Sequence, residues 1–147
     1  FSGLSAPYWN ADARAAIVGM SAHTSRAHIV RAALEAIAYQ IRDVLDMLRT
    51  AAGVAPRRLY ADGGPTRNEF LMQFTADITG VELVVAEAPE SSPLGAAMAG
   101  LLGLGIVSSL DELAKLPHTT RTYRPQMPAE KVDQLLTGWK AAVERVL

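Results

Sequence analysis

Arg58-Leu59-Tyr60-Ala61-Asp62-Gly63-Gly64-Pro65-Thr66-Arg67-Asn68-Glu69-Phe70-Leu71 is the stretch that decides how this chain folds. Residues 58–61 read as a strand running into the turn Asp62-Gly63-Gly64-Pro65. Thr66 and Glu69 stand three apart in the pattern of a capping box, which opens a helix. Phe70, Leu71, Phe74 and Ile78 form the apolar face of that helix. Gly80 stops it, and residues 81–86 read as a second strand. The order strand, glycine turn, helix, strand predicts an α/β fold.

The glycine pair is also the best candidate for chemistry. Gly63 and Gly64 let backbone approach a flat or anionic ligand closely, and the helix start behind them offers free N–H groups. A strand-to-helix turn also uses glycine purely for positive φ, and the residues alone leave both readings open. Asn68, just inside the helix, carries a donor and an acceptor suited to an adenine edge or a ribose hydroxyl, or equally to water.

Towards the N-terminus, Val30, Leu34, Ile37, Ile41, Val44 and Leu48 recur in steps of four and three, which predicts a helix over residues 26–51 with one buried stripe. Arg26, His28, Arg31, Arg42 and Asp43 fall largely off the stripe and read as solvated. Gly53 and Pro56 end the helix. The apolar run 15–20 reads as a strand. Residues 1–14 read as an ordered loop whose Phe1, Tyr8 and Trp9 need burial, by packing on the domain or against a ligand.

Towards the C-terminus, Pro89 and Pro93 punctuate a turn, and Ser91 or Ser92 caps a helix of small residues running to about residue 104. The apolar stretch 94–107 is shorter than the roughly 20 residues of a membrane span and reads as a buried helix. A helical turn capped by Ser109 is expected over 109–116, an extended segment over 117–127, and a final helix over 129–147. That helix buries Val132, Leu135, Leu136, Trp139 and Val143 and pairs Lys140 with Glu144.

The 147 residues, 50% of them hydrophobic, suit a single domain. Basic and acidic side chains nearly cancel, 14 against 15, so neither nucleic acid nor an acidic membrane is an expected partner. The absence of cysteine fits an intracellular protein. Gly100, Gly103 and Gly105 have the wrong spacing for G-x-G-x-x-G, and no G-x-x-x-x-G-K-[ST] loop is present. His23, His28 and His118 lack partners at metal-ligand spacing. Ser21, Ser25 and Ser91 stand in no nucleophile elbow. Glu35 and Asp77 read as helix-edge or ion-paired carboxylates rather than catalytic ones, so no catalytic residue and no metal ligand is expected in this chain. No basic leader is seen, and the start at Phe1 suggests a piece of a longer protein.

Three stretches together resemble the FGGY carbohydrate kinases, the glycerol kinase-like members above all. They are Phe1-Ser2-Gly3-Leu4 with Ala6-Pro7-Tyr8-Trp9; residues 15–20 with His28-Ile29-Val30-Arg31-Ala32-Ala33-Leu34-Glu35 after a seven-residue gap; and residues 62–68 with Leu71-Met72-Gln73, Ala76-Asp77, Gly80 and Leu94-Gly95-Ala96-Ala97. The resemblance implies an α/β, ribonuclease H-like or actin-like ATPase fold: three layers, with helices flanking a mixed sheet. Residues 1–147 would be its C-terminal nucleotide-binding domain, incomplete on its N-terminal side. It implies a cytoplasmic kinase that moves the γ-phosphoryl of ATP, with Mg²⁺, to a sugar or polyol hydroxyl. Gly64 and Asn68 would contact the nucleotide, with Gly63 beside them and Asp62 and Pro65 supporting the turn. Gly95, Ala96 and Ala97 would form a hinge face towards a second domain. The catalytic aspartate, the acceptor-binding residues and most metal contacts would precede this stretch, so the chain alone would have little or no kinase activity. ATP or ADP and the acceptor are the expected partners, and a homodimer is compatible with them. The rival reading is a degenerate actin-like module serving interaction or regulation without catalysis.

Overall fold

The computed structural model describes residues 3–86, 91–115 and 119–147. At its centre is a strand, helix, strand unit. Strand β1 (Arg58–Ala61) leads through a 3-10 turn (Gly64–Arg67) into helix α2 (Glu69–Thr79) and back to β2 (Glu82–Ala86). The two strands lie parallel, with Leu59 opposite Leu83 and Ala61 opposite Val85. Strand β3 (Thr120–Tyr123), inside the segment expected to be extended, joins β2 antiparallel and places Tyr123 opposite Leu83. The result is the mixed sheet that was expected, in the order β1-β2-β3. Pairing on both edges explains the unbroken apolar run Leu83-Val84-Val85, all buried.

Helix α2 separates two clusters. Leu71, Met72 and Ala76 pack on Leu83 and Val85 of the sheet, with Leu59, Ala61 and Tyr123 at the margin. Phe74 and Ile78 point the other way, towards Ala38 and Tyr39 of α1 (Arg26–Ala52) and Leu136 of α5 (Ala129–Val143). The Tyr39 ring stacks on Trp139 with centroids 5.2 Å apart and meets Phe74 edge-on at 5.5 Å. The buried threonines of α2 return their hydroxyls to the helix: Thr75 to the Leu71 carbonyl and Thr79 to the Thr75 carbonyl, each at 2.7 Å.

Helix α1 forms over nearly the expected span and ends at Gly53 in the left-handed region (φ 64°), but its buried face is rotated from the predicted stripe. Val30, Ile37 and Leu48 are exposed, whereas Ala38, Tyr39, Asp43 and Leu45 are buried. A small alanine and an aromatic ring fit the junction with α2 and α5 better than the branched residues do. Two side chains expected in solvent are also structural. Arg42 donates to the Ile78 carbonyl at 2.8 Å and Arg49 to that of Thr79 at 3.5 Å, so α1 satisfies carbonyls left open at the C-terminus of α2. Asp43 accepts from the Tyr8 hydroxyl at 3.0 Å and from Trp139 Nε1 at 2.7 Å. One carboxylate thereby joins the N-terminal loop, α1 and α5.

Several expectations are corrected. Residues 15–20 form no strand; Ile17, Val18 and Met20 are exposed and no described strand lies beside them. Trp9 is 76% exposed, so the loop buries only part of its aromatic surface, and Phe1 lies outside the described residues. Helix α3 (Ser91–Gly103) forms, but exposed rather than buried, because no described element covers it. It begins at Ser91, which puts its capping position outside the described residues. Helix α4 (Leu110–Leu113) is capped by Ser109 as expected, with Oγ accepting from Glu112 N–H at 3.3 Å. Helix α5 stops at Val143, and Lys140 and Glu144 form no ion pair among the described residues. His118 lies outside the described residues, and His28 accepts from Ser25 N–H through Nδ1 at 3.0 Å.

Candidate functional site

The glycine turn is built from both ends. Strand β1 delivers Asp62 to the C-terminal edge of the sheet, and α2 anchors the exit. The helix does not start at Thr66, so the capping box expected there is absent. Thr66 instead turns its hydroxyl back to the Gly63 carbonyl at 2.7 Å, and its N–H donates to the same oxygen at 3.1 Å. Asn68 is the true cap of α2, its Oδ1 accepting from Leu71 N–H at 3.0 Å. Proline at position 65 costs nothing, because the first turn of a helix leaves its N–H groups without partners in any case.

The two glycines are glycine for different reasons. Gly63 holds φ 91° and ψ 179°, a conformation closed to side-chain-bearing residues. Gly64 lies within the 3-10 turn at ordinary φ, and a Cβ built on it would meet nothing within 4 Å. Neither backbone conformation nor packing among the described residues requires glycine at 64. The space beside it is open for a ligand that must approach the backbone closely.

Asp62, Gly64, Pro65 and Arg67 are exposed, and Gly63 and Asn68 are half-buried. With Oδ1 spent on the cap, the Nδ2 group of Asn68 keeps two donors that take no partner among the described residues. The turn therefore offers a bare backbone shelf and an amide donor, which suits an acceptor-bearing flat ring or a sugar hydroxyl. Apart from the turn, a 590 Å³ groove lies between the start of α1 and Phe70, lined also by Arg26, Val30, Arg31 and Leu34. The Arg31 guanidinium stacks 3.7 Å above the Phe70 ring and is tied to Glu35 at 2.5 Å.

The other candidate residues lie apart from the turn. Glu35 is ion-paired, and Asp77 sits at a helix edge, accepting from Gln73 Nε2 at 2.9 Å and from Gln126 N–H at 2.7 Å. Gly95, Ala96 and Ala97 occupy the exposed face of α3, where a Cβ on Gly95 would meet nothing within 4 Å. Among the described residues no group of three His, Asp or Glu side chains could hold a metal, and no helix is long and apolar enough to cross a membrane.

The sequence reading missed the Tyr8–Asp43–Trp139 junction. Its only signal was the polar atoms of Tyr8 and Trp139, each of which needs a partner when its ring is buried. Burial, then the hydrogen bond and negative charge of Asp43, push the Tyr8 hydroxyl up to about 12. Tyr39 is likewise pushed up to about 12, by burial first and by Glu35 second.

Comparison with known proteins identifies the family. A family model for the FGGY family of carbohydrate kinases, C-terminal domain, matches residues 1–104. A glycerol kinase of Shewanella sediminis is 47% identical over 147 residues, all of this chain and 30% of that protein. One of Clostridium beijerinckii is 46% identical over 145 residues, 99% of this chain and 29% of that protein. The chain thus spans about 30% of the length of the curated relatives it matches. Among solved structures, glycerol kinase of Plasmodium falciparum with ADP superposes with a TM-score of 0.86 at 40% identity, covering 100% of this chain and 29% of that one. Xylulose kinase of Rhodospirillum rubrum gives 0.68 at 31% identity, covering 86% and 26%. The fold is that of these kinases, actin-like and α/β, and the chain belongs to the FGGY family of carbohydrate kinases.

Proposed function

We propose that residues 1–147 form one nucleotide-binding domain of an ATP-dependent kinase whose acceptor is a sugar or polyol hydroxyl, with glycerol the first to test. In this reading the turn at 62–68 holds the adenosine end of ATP. Gly64 gives the close approach, Gly63 bends the chain, and Asn68 donates through Nδ2, while Asp62 and Pro65 set the turn's path. The observation that carries the reading is Gly64, a glycine that neither φ nor internal packing demands, placed beside the only spare amide of the helix cap. The likeness to a glycerol kinase solved with ADP supports it.

Bound nucleotide supplies the phosphoryl group, and Mg²⁺ would be held through its phosphates and by groups beyond this chain, since the described residues offer no donor cluster of their own. What this chain contributes is position. A rigid shelf between β1 and α2 fixes the adenosine, and a fixed adenosine sets where the phosphates reach the acceptor. The small residues Gly95, Ala96 and Ala97 suit a face that slides against a second domain as the cleft closes. A cytoplasmic location and a homodimer are consistent with this reading.

The test separates the ligand contact from the cap. Asn68→Ser keeps a side-chain oxygen for Leu71 N–H but loses the amide donors. In the protein carrying this chain, Asn68→Ser should melt within a few degrees of the parent yet lose most of the thermal stabilisation that ADP gives. Equal ADP-induced shifts in the two proteins would remove Asn68 from the site.

A further inference from the structure

We propose that Arg67 is a nucleotide contact, its guanidinium lying along the adenosine held against Gly64; this rests on the adenosine reading above. A 3-10 helix has three residues per turn, so positions i and i+3 eclipse one another. Gly64 and Arg67 are the first and last residues of the 3-10 turn and therefore share one face of it. Gly64 brings no side chain to that face, and the space beyond it is open. Arg67, three residues on, is exposed.

Its guanidinium is also uncommitted. Arg67 is exposed and forms no ion pair or side-chain hydrogen bond to any described residue. Arg58 and Arg124 are held by Glu82, and Arg42 and Arg49 by Asp46, whereas Arg67, like Arg26, Arg57 and Arg145, has no ion-pair partner among the described residues. Apart from the Asn68 amide, the other side chains of the turn have no donor to offer, because Thr66 is bonded back to Gly63 and Pro65 has none. A planar guanidinium with five N–H donors can lie on the face of a purine and reach a ribose oxygen from the same position. A ligand pressed on Gly64 and read at its edge by Asn68 presents both. Arg67 would then clamp the ring from the side that the bare glycine leaves open.

The experiment titrates ADP and adenosine, each alone, into the full-length protein carrying Arg67→Ala, Arg67→Lys or Gly64→Val. Melting temperatures without ligand should match the parent for the Arg67 variants, since the side chain is exposed and has no ion pair among the described residues. Arg67→Ala should weaken ADP and adenosine alike, by roughly five- to tenfold, and lysine should restore little of the loss, because an ammonium does not stack as a plane. If Arg67→Ala binds both ligands like the parent while Gly64→Val has lost them, Arg67 is excluded and the adenosine site stands. If Arg67→Ala weakens ADP only and lysine restores it, the residue acts through charge on the phosphates and the stacking assignment is overturned. If Gly64→Val binds as the parent does, the adenosine reading falls, and the role of Arg67 with it.

Discussion

Helices α2 and α3 are close in length and opposite in surroundings. Helix α2 (Glu69–Thr79) carries Glu69, Gln73 and Asp77 and two threonines, yet Leu71, Met72, Phe74, Ala76 and Ile78 are all buried. Helix α3 (Ser91–Gly103) has no charged residue at all, and its described residues are exposed except for Met98, Leu101 and Leu102, which are half-buried. The difference lies in partners. The apolar side chains of α2 divide between a sheet and a pair of helices, whereas α3 presents glycine and alanine to a surface that no described element covers. Apolar composition states that a helix has something to bury; it does not state where the covering surface comes from.

The contrast can be broken most directly in the core. Phe74→Ala, which empties the site between Tyr39, Phe70 and Ile78, should cost about 3–5 kcal/mol in urea unfolding. Leu94→Ala on α3, where the side chain is 40% exposed, should stay within about 0.5 kcal/mol. A loss above 2 kcal/mol at Leu94 would mean that α3 is packed as tightly as α2.

The Asp43 junction gives the next largest effect. Asp43→Ala strands the Tyr8 hydroxyl and the Trp139 indole N–H, and a loss of about 2–3 kcal/mol is expected; Asp43→Asn, which keeps one acceptor oxygen, should lose less. Equal losses for the two would remove the hydrogen bonds as the cause. The same junction has an alkaline signature. The folded state holds the Tyr8 and Tyr39 hydroxyls near 12 against an ordinary value of 10.0. Both must lose their protons more readily once unfolded. Their contribution is therefore complete below about pH 10 and is lost as the pH rises from 10 towards 12. Following tyrosinate absorbance, Tyr8→Phe should remove one of the late-titrating groups and leave the other.

The smallest effect separates the two glycines of the turn. Gly63→Ala forces a side chain into φ 91° and should destabilise by about 1–2 kcal/mol. Gly64→Ala should leave stability within about 0.5 kcal/mol and show its cost only in nucleotide affinity. Identical stability losses at both positions would mean that both are glycine for backbone reasons alone.

Much of this was legible beforehand because it is local. Strand β1, the turn, the stop at Gly80 and strand β2 follow from glycine placement and apolar alternation within about 30 residues, and Gly53 and Ser109 ended and began their helices as read. What failed was relational. The spacing on α1 predicts one buried stripe, but the helix packs against both α2 and α5, and its buried face lies at Ala38, Tyr39 and Asp43 instead. The run 15–20 has strand composition, but a strand exists only beside another. The capping signal at Thr66 lost to Asn68 because a 3-10 turn absorbed four residues first, a choice that depends on how β1 hands the chain to α2.

The sequence by itself determined that residues 58–86 form a strand, glycine turn, helix and strand, and through its motifs it named the family. Glycine's access to positive φ and the burial of alternate residues act over a few positions and leave a readable pattern. Only the tertiary structure decided that Asp43 is a buried junction, that Arg42 closes the end of α2, and that α3 lies open. It also divided the glycine pair, giving Gly63 to the backbone and leaving Gly64 with no conformational need for glycine. Each of these depends on which surfaces meet across 30 to 100 residues of chain, and no local spacing carries that information.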